Sequence, residues 1–186
     1  MIVTPCADTI DQLVFDASPP RSPGLHLSTV IKSICHEIDP RRFPLTAPGD
    51  LPWTRFEVGF TFERVLEHAF ASHLPNIFRP GEITLDGIAM SPDGIDPDGW
   101  ILEEYKSTWM TSHDVPEGAK CWHWKVQMMA YSYALGTTLA RLRVLFINGN
   151  GDKNPTYKVW ELAFTESELH SNWQMILQHA KVKGWL

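Results

Sequence analysis

The chain has 186 residues, is 44% hydrophobic and 20% charged, and carries a formal net charge of −6, an ordinary globular composition with length enough for one compact domain and a sizeable core. No apolar run approaches the roughly 18 residues of a membrane span, the N-terminus lacks a basic-then-apolar signal, and Cys6, Cys35 and Cys121 are isolated, which excludes a disulfide framework or a cysteine metal site and fits a reducing cytoplasm. The negative balance gives no global nucleic-acid footprint, so any such contact must rest on a local basic patch.

Residues 1–25 read as an irregular arm rich in proline and serine. Ser28 is placed to cap a short helix running to Ile38, stopped by Pro40, and a proline-rich loop follows to Pro52. Thr54 and Glu57 form a capping box that opens a helix to His73. Residues 82–90 and 100–108 read as strands, and 119–135 as a helix ended by Gly136. The near-continuous apolar run 141–147 (RLRVLFI) is expected to be a strand buried on both faces, turned by Asn-Gly-Asn-Gly into a returning strand at 157–164. Thr165 and Glu168 make a second capping box, and Leu169, Trp173, Ile176, Leu177 and Ala180 form one stripe of a last helix ended by Gly184. From residue 54 the expected order is αβββαββα, an α/β (α+β) chain with a mixed central sheet flanked by helices. The expected division is an arm with a short helix at 1–53 and the main domain at 54–186, compact as a whole.

The segment SPDGIDPDGWILEEYKST, residues 91–108, crowds carboxylates around two Pro-Asp-Gly turns. A hairpin turned at Asp96–Gly99 sets Ile95 opposite Trp100 and Asp93 opposite Leu102. Alternation then puts Asp93 on one face with Glu104 and Lys106, and sends Asp86, Asp96 and Glu103 to the other. Asp93 and Glu104 become diagonal neighbours about 7–8 Å apart, close enough to share a divalent cation. On this segment alone, a solvated hairpin with its acids facing water is the competing reading.

The helix from Thr54 carries Phe56, Glu63 and Phe70 in one row, with Phe60 and Leu66 one turn either side of Glu63. A glutamate in an apolar stripe must be neutralised, paired or bound to a metal; Glu67 lies on the flank. On the helix at 119–135, Gln127 and Tyr131 are neighbours, with His123 one turn earlier as a hydrogen-bonded surface residue. Lys120 and Lys125 share that helix, and Trp122 and Trp124 suit core packing better than base stacking.

Together these pieces resemble the PD-(D/E)XK nuclease superfamily, on the branch of RecB-type and lambda-type phage exonucleases. The residues that carry the likeness are Glu63 in GFTFE, Asp93 in SPDG, Glu104 and Lys106 in EYK, and Gln127 and Tyr131 in QMMAY. They cover residues 54–148; the four-cysteine cluster of some RecB-type relatives has no counterpart, and the spacing to Lys106 selects Glu104 over Glu103. The resemblance implies a restriction-endonuclease-like core and hydrolysis of phosphodiester bonds with Mg²⁺ or Mn²⁺. It implies metal ligation by Asp93, Glu104 and the backbone carbonyl of Tyr105, with Glu63 direct or through water. Lys106 would orient or deprotonate the attacking water, and Gln127 and Tyr131 would position Lys106 or substrate. Lys120 and Lys125 are candidate substrate contacts, and Arg141 and Arg143 generic phosphate contacts. The expected activity is a DNA exonuclease of phage or prophage recombination or repair, in the cytoplasm of a bacterium or infected host. DNA and a divalent metal are the expected partners, with a second copy or a recombination protein as others. The alternative is a non-catalytic nucleic-acid-binding or interaction protein that keeps the fold.

Overall fold

A computed structural model describes residues 22–45, 53–73, 76–114, 116, 118–151 and 154–186. The expected arm to residue 21, most of the proline-rich loop, and the side chains of Thr54, Phe56 and Phe70 lie outside the described residues. Two short mixed sheets carry the strands. In the first, β1 (Leu25–His26) lies parallel to β3 (Ile88–Met90), which pairs antiparallel with β2 (Ile83–Leu85). In the second, β4 (Gly94–Asp96), β5 (Ile101–Thr108), β6 (Leu139–Phe146) and β7 (Thr156–Ala163) lie in that order. Only β5 and β6 in it are parallel, and the parallel pair is joined by a helical crossover, as such pairs require. The helices are α1 (Leu27–Ile38), α2 (Trp53–His73), α3 (Trp122–Leu135) and α4 (Glu166–Val182). The α/β (α+β) class is as expected, its strands divided over two sheets.

The second sheet is covered on both faces. On one side Leu102, Ala140, Leu142, Val144 and Phe146 pack into a core with Val30 and Ile34 of α1, Val126 and Met128 of α3, and Trp173 and Ile176 of α4. The short helix before residue 53 is therefore part of the main core. On the other side Phe62 and Leu66 of α2 pack against Tyr105 and Leu145. The apolar reading of β6 follows from this double cover, although its first turn outward carries arginines rather than aliphatics.

Local chemistry accounts for most boundaries. Thr165 accepts from the Glu168 N–H and Glu168 reaches back to the Thr165 N–H, the expected capping box. Gly136 ends α3 at φ 67°, the left-handed conformation a glycine adopts without cost. Ser28 is not the cap: α1 starts at Leu27, two residues earlier than that cap would set it, behind His26, which makes no side-chain cap bond. Residues 82–90 are two strands, not one, because Asp86 (φ 48°) and Gly87 (φ 80°) both turn left-handed. Residues 119–121 form a 3₁₀ turn ahead of α3.

The hairpin of interest differs from expectation by a slide of two residues. Ile95 pairs with Leu102 and Asp96 with Ile101, so Pro97–Trp100 form the loop and Trp100 leaves the strand at φ 51°. Trp100 is held there from both ends: its Nε1 donates to the Leu135 carbonyl at 3.0 Å, and its carbonyl accepts from Thr137 Oγ1. A slide of two preserves which face each side chain takes. The facing of Asp93 with Glu104 therefore survives a wrong register.

Candidate active site

Continuing the β4–β5 register by one pair sets Asp93 directly across from Glu104 rather than diagonal to it. Asp93 Oδ2 accepts the Tyr105 backbone N–H at 2.8 Å, which fixes the carboxylate against β5. Glu104 is 1% exposed. Two residues along the same face, Lys106 Nζ donates to Glu104 Oε1 and, at 3.1 Å, to Gln127 Oε1 on α3. Gln127 in turn donates from Nε2 to the Tyr131 hydroxyl at 2.8 Å. One polar chain thus runs from strand to helix through residues 104, 106, 127 and 131.

Glu104 Oε2 is buried and has no hydrogen-bond partner among the described residues. A buried carboxylate oxygen left unpaired costs about 1–3 kcal/mol or more, and a cation beside it would relieve that cost. Hard carboxylate oxygens of this kind suit a hard divalent cation. Among the described residues no three Asp, Glu, His or Cys side chains converge closely enough to hold an ion by themselves. Lys106 holds one Glu104 oxygen and an arginine holds Glu63.

That arginine is Arg79. Its Nη2 lies 2.9 Å from Glu63 and 3.1 Å from Glu67, neighbours four apart on α2, and its Nε lies 3.4 Å from the Asp93 carbonyl. Phe78 bridges to the outer edge of β4 through two backbone hydrogen bonds with Ile95, which brings Arg79 beside Asp93. Sequence reasoning passed over it; the available signal was a lone arginine between two acidic motifs. Glu63 itself sits at the margin of the packed face, its side chain 19% exposed. The stripe expected around it is corrected in part. Phe60 is 44% exposed, and the packed residues are Phe62 and Leu66.

The electrostatics follow from burial. Burial first, and then the Glu104 charge, push the Asp93 carboxyl up to about 7. Glu104 and Glu63 are raised by the same desolvation, against the pull of Lys106 and Arg79 respectively. Burial alone would lower Lys106, but Glu104 and Asp93 outweigh it and hold the ammonium charged. His123 is half-buried rather than a surface residue. Its ring meets Phe43 edge-on at 5.4 Å, and burial with the Lys106 charge behind it lowers its pKa to about 4.

Four other expected residues stand apart from this cluster. Lys120 is exposed and pairs with Asp114 at 2.8 Å. Lys125 reaches electrostatically toward Glu168 at the start of α4. Arg141 and Arg143 lie on the opposite face of the sheet, where both clamp the fully buried Glu103 at 2.6 Å. Their donors serve the fold.

No family model and no curated protein matches the sequence. Among solved structures, the chain is similar to SSO0001 at 12% identity, with a TM-score of 0.54 over 92% of this chain and 87% of that one. This likeness shows a shared fold. A phage-related exonuclease from Haemophilus somnus 129PT (10% identity, TM-score 0.48, 82% and 78% covered) and an alkaline exonuclease from Laribacter hongkongensis (15%, 0.46, 93% and 87%) are looser likenesses. Around the second sheet the fold brings together the glutamate-bearing helix α2, the Asp93 hairpin, the Glu-x-Lys strand β5 and the Gln-x-x-x-Tyr helix α3.

Proposed function

We propose that the chain is a divalent-metal-dependent nuclease, acting as an exonuclease on DNA ends in phage or prophage recombination or repair. The observation that carries this reading is the orphaned, buried Glu104 Oε2 beside Asp93 and a charged lysine. Asp93, Glu104 and the Tyr105 carbonyl would hold Mg²⁺ or Mn²⁺, with Glu63 direct or through water. When bound, such an ion acidifies a water and offsets charge on the phosphate. Lys106, kept protonated by its two acidic neighbours, serves as a donor that orients the attacking water and stabilises the charged transition state rather than as its base. Gln127, itself fixed by Tyr131, sets the position of that ammonium.

The test offers end-labelled linear DNA and covalently closed circular DNA to the protein with Mg²⁺ or Mn²⁺. Release of mononucleotides from the linear form alone is expected, and Glu104→Gln or Lys106→Gln should lower the rate by several orders of magnitude. Cleavage of closed circles would replace exonuclease with endonuclease. No cleavage of either substrate with either metal would favour a binding protein that has kept the fold.

A further inference from the structure

The charges around the site do not balance. Glu63, Glu67, Asp93 and Glu104 are four carboxylates, faced by Arg79 and Lys106. Lys106 spends its ammonium on Glu104 and Gln127, inside the sheet–helix junction. Arg79 is placed differently. Its side chain is 48% exposed, and its contacts use only one edge of the guanidinium: Nη2 toward Glu63 and Glu67, Nε toward the Asp93 carbonyl. Nη1 donates to no acceptor among the described residues.

An arginine anchored on one edge and open on the other is suited to an oxyanion, since its planar guanidinium carries donors in a rigid fork that matches two phosphate oxygens. The anchor is also the residue expected to turn toward a metal. A divalent ion balances the two excess negative charges and draws on Glu63, which lowers the demand on Nη2. We infer that Arg79 is a substrate-binding residue that holds a backbone phosphate of the nucleic-acid strand beside the metal-binding carboxylates. The inference rests on the nuclease reading and adds to it the group that fixes the strand at the site.

The test measures binding of a fluorescently labelled single-stranded oligonucleotide by anisotropy, with Ca²⁺ in place of a metal that supports turnover, across a range of salt. Arg79→Gln should weaken binding at least tenfold and reduce the salt slope by about one, as loss of one phosphate contact does. Arg79→Lys should restore part of the affinity, because the charge returns without the fork. Arg64→Gln, which removes an equal charge from the exposed side of α2, should bind like wild type. Calorimetry with Mn²⁺ should find Arg79→Gln unchanged or tighter, since a cation near the ligands has been removed. Oligonucleotide binding within twofold of wild type would overturn the inference, as would a loss shared equally by Arg64→Gln. Weaker Mn²⁺ binding together with a lowered melting temperature would make Arg79 a strut between α2 and β4 instead. In each of these cases the wild type still binds and cleaves; a wild type that does neither removes the nuclease reading itself, and Arg79's role with it.

Discussion

Glu103 and Glu104 are adjacent, both fully or almost fully buried, and do opposite things. Glu103 is saturated: Arg143 meets it through Nε at 2.6 Å and Nη2 at 3.2 Å, and Arg141 through Nη1 at 2.6 Å. Glu104 has one oxygen held by Lys106 and one by nothing among the described residues. Alternation along β5 is what separates them, so that one faces α2 and the arginines while the other faces α3. Their substitutions should therefore diverge. Glu103→Ala removes the fully buried partner of Arg143 and one partner of Arg141 and should cost about 3–5 kcal/mol, the range for breaking a buried pair. Glu104→Gln keeps the shape and a contact for Lys106, removes a charge that is paired through one oxygen only, and should cost far less metal-free stability than Glu103→Ala, while abolishing cleavage. Chemical denaturation of both variants checks this; equal destabilisation would mean that Glu104 is a structural carboxylate like its neighbour.

At the scale of elements, the β4–β5 hairpin sets the geometry, and Gly94 is closely packed on three sides within it. A Cβ built there would meet Ile77 Cγ2 and the Tyr105 hydroxyl at 3.2 Å and Glu103 Cβ at 3.3 Å. Glu103 Cβ is fixed to the strand and cannot swing away. Gly94→Ala should cost about 1–3 kcal/mol by overpacking and, by shifting Asp93, lower cleavage disproportionately. Thr165→Ala is the contrasting change: loss of the α4 cap should cost about 1 kcal/mol and leave activity per folded molecule intact. Thermal melts and rates on both variants separate site geometry from general stability; a Gly94→Ala protein with normal activity would mean that Asp93 is not held by the hairpin. The same hairpin shows what was legible beforehand. Period-two alternation assigns faces whatever the register, so Asp93, Glu104 and Lys106 could be grouped although the turn was placed wrongly. The turn was not readable because Trp100 adopts a left-handed conformation that its residue type disfavours, held by Leu135 and Thr137 from distant parts of the chain. Likewise the seven-residue row of α2 located Glu63 but not its partner. Arg79 is brought in by the Phe78–Ile95 bridge, a pairing no local pattern announces.

For the molecule as a whole, the buried carboxylates link folding, protons and metal. The Asp93 carboxyl stands near 7 in the folded chain, against about 4 when unfolded. Between those values the folded state binds more protons than the unfolded one, so the stability this group contributes is present below about pH 4 and is lost as pH rises to 7. Without divalent ions the protein should pay for its carboxylate cluster most at alkaline pH. Ligand binding reverses the sign, because a metal needs those carboxylates ionised. At a hundredfold excess over Kd, binding to the folded state alone adds about 2.7 kcal/mol. For a chain of this size that is a rise of about 5–10 °C in Tm. The expected result is a large Mg²⁺- or Mn²⁺-induced Tm shift at pH 8 that shrinks as pH falls through 7 and is nearly absent at pH 5. Glu104→Gln should abolish the shift at every pH, while Glu63→Gln should reduce it. Differential scanning fluorimetry with and without chelator reads all three proteins. A shift that is the same at pH 5 and pH 8, or that persists in Glu104→Gln, would place the ion on surface carboxylates and remove the metal from the Asp93–Glu104 site.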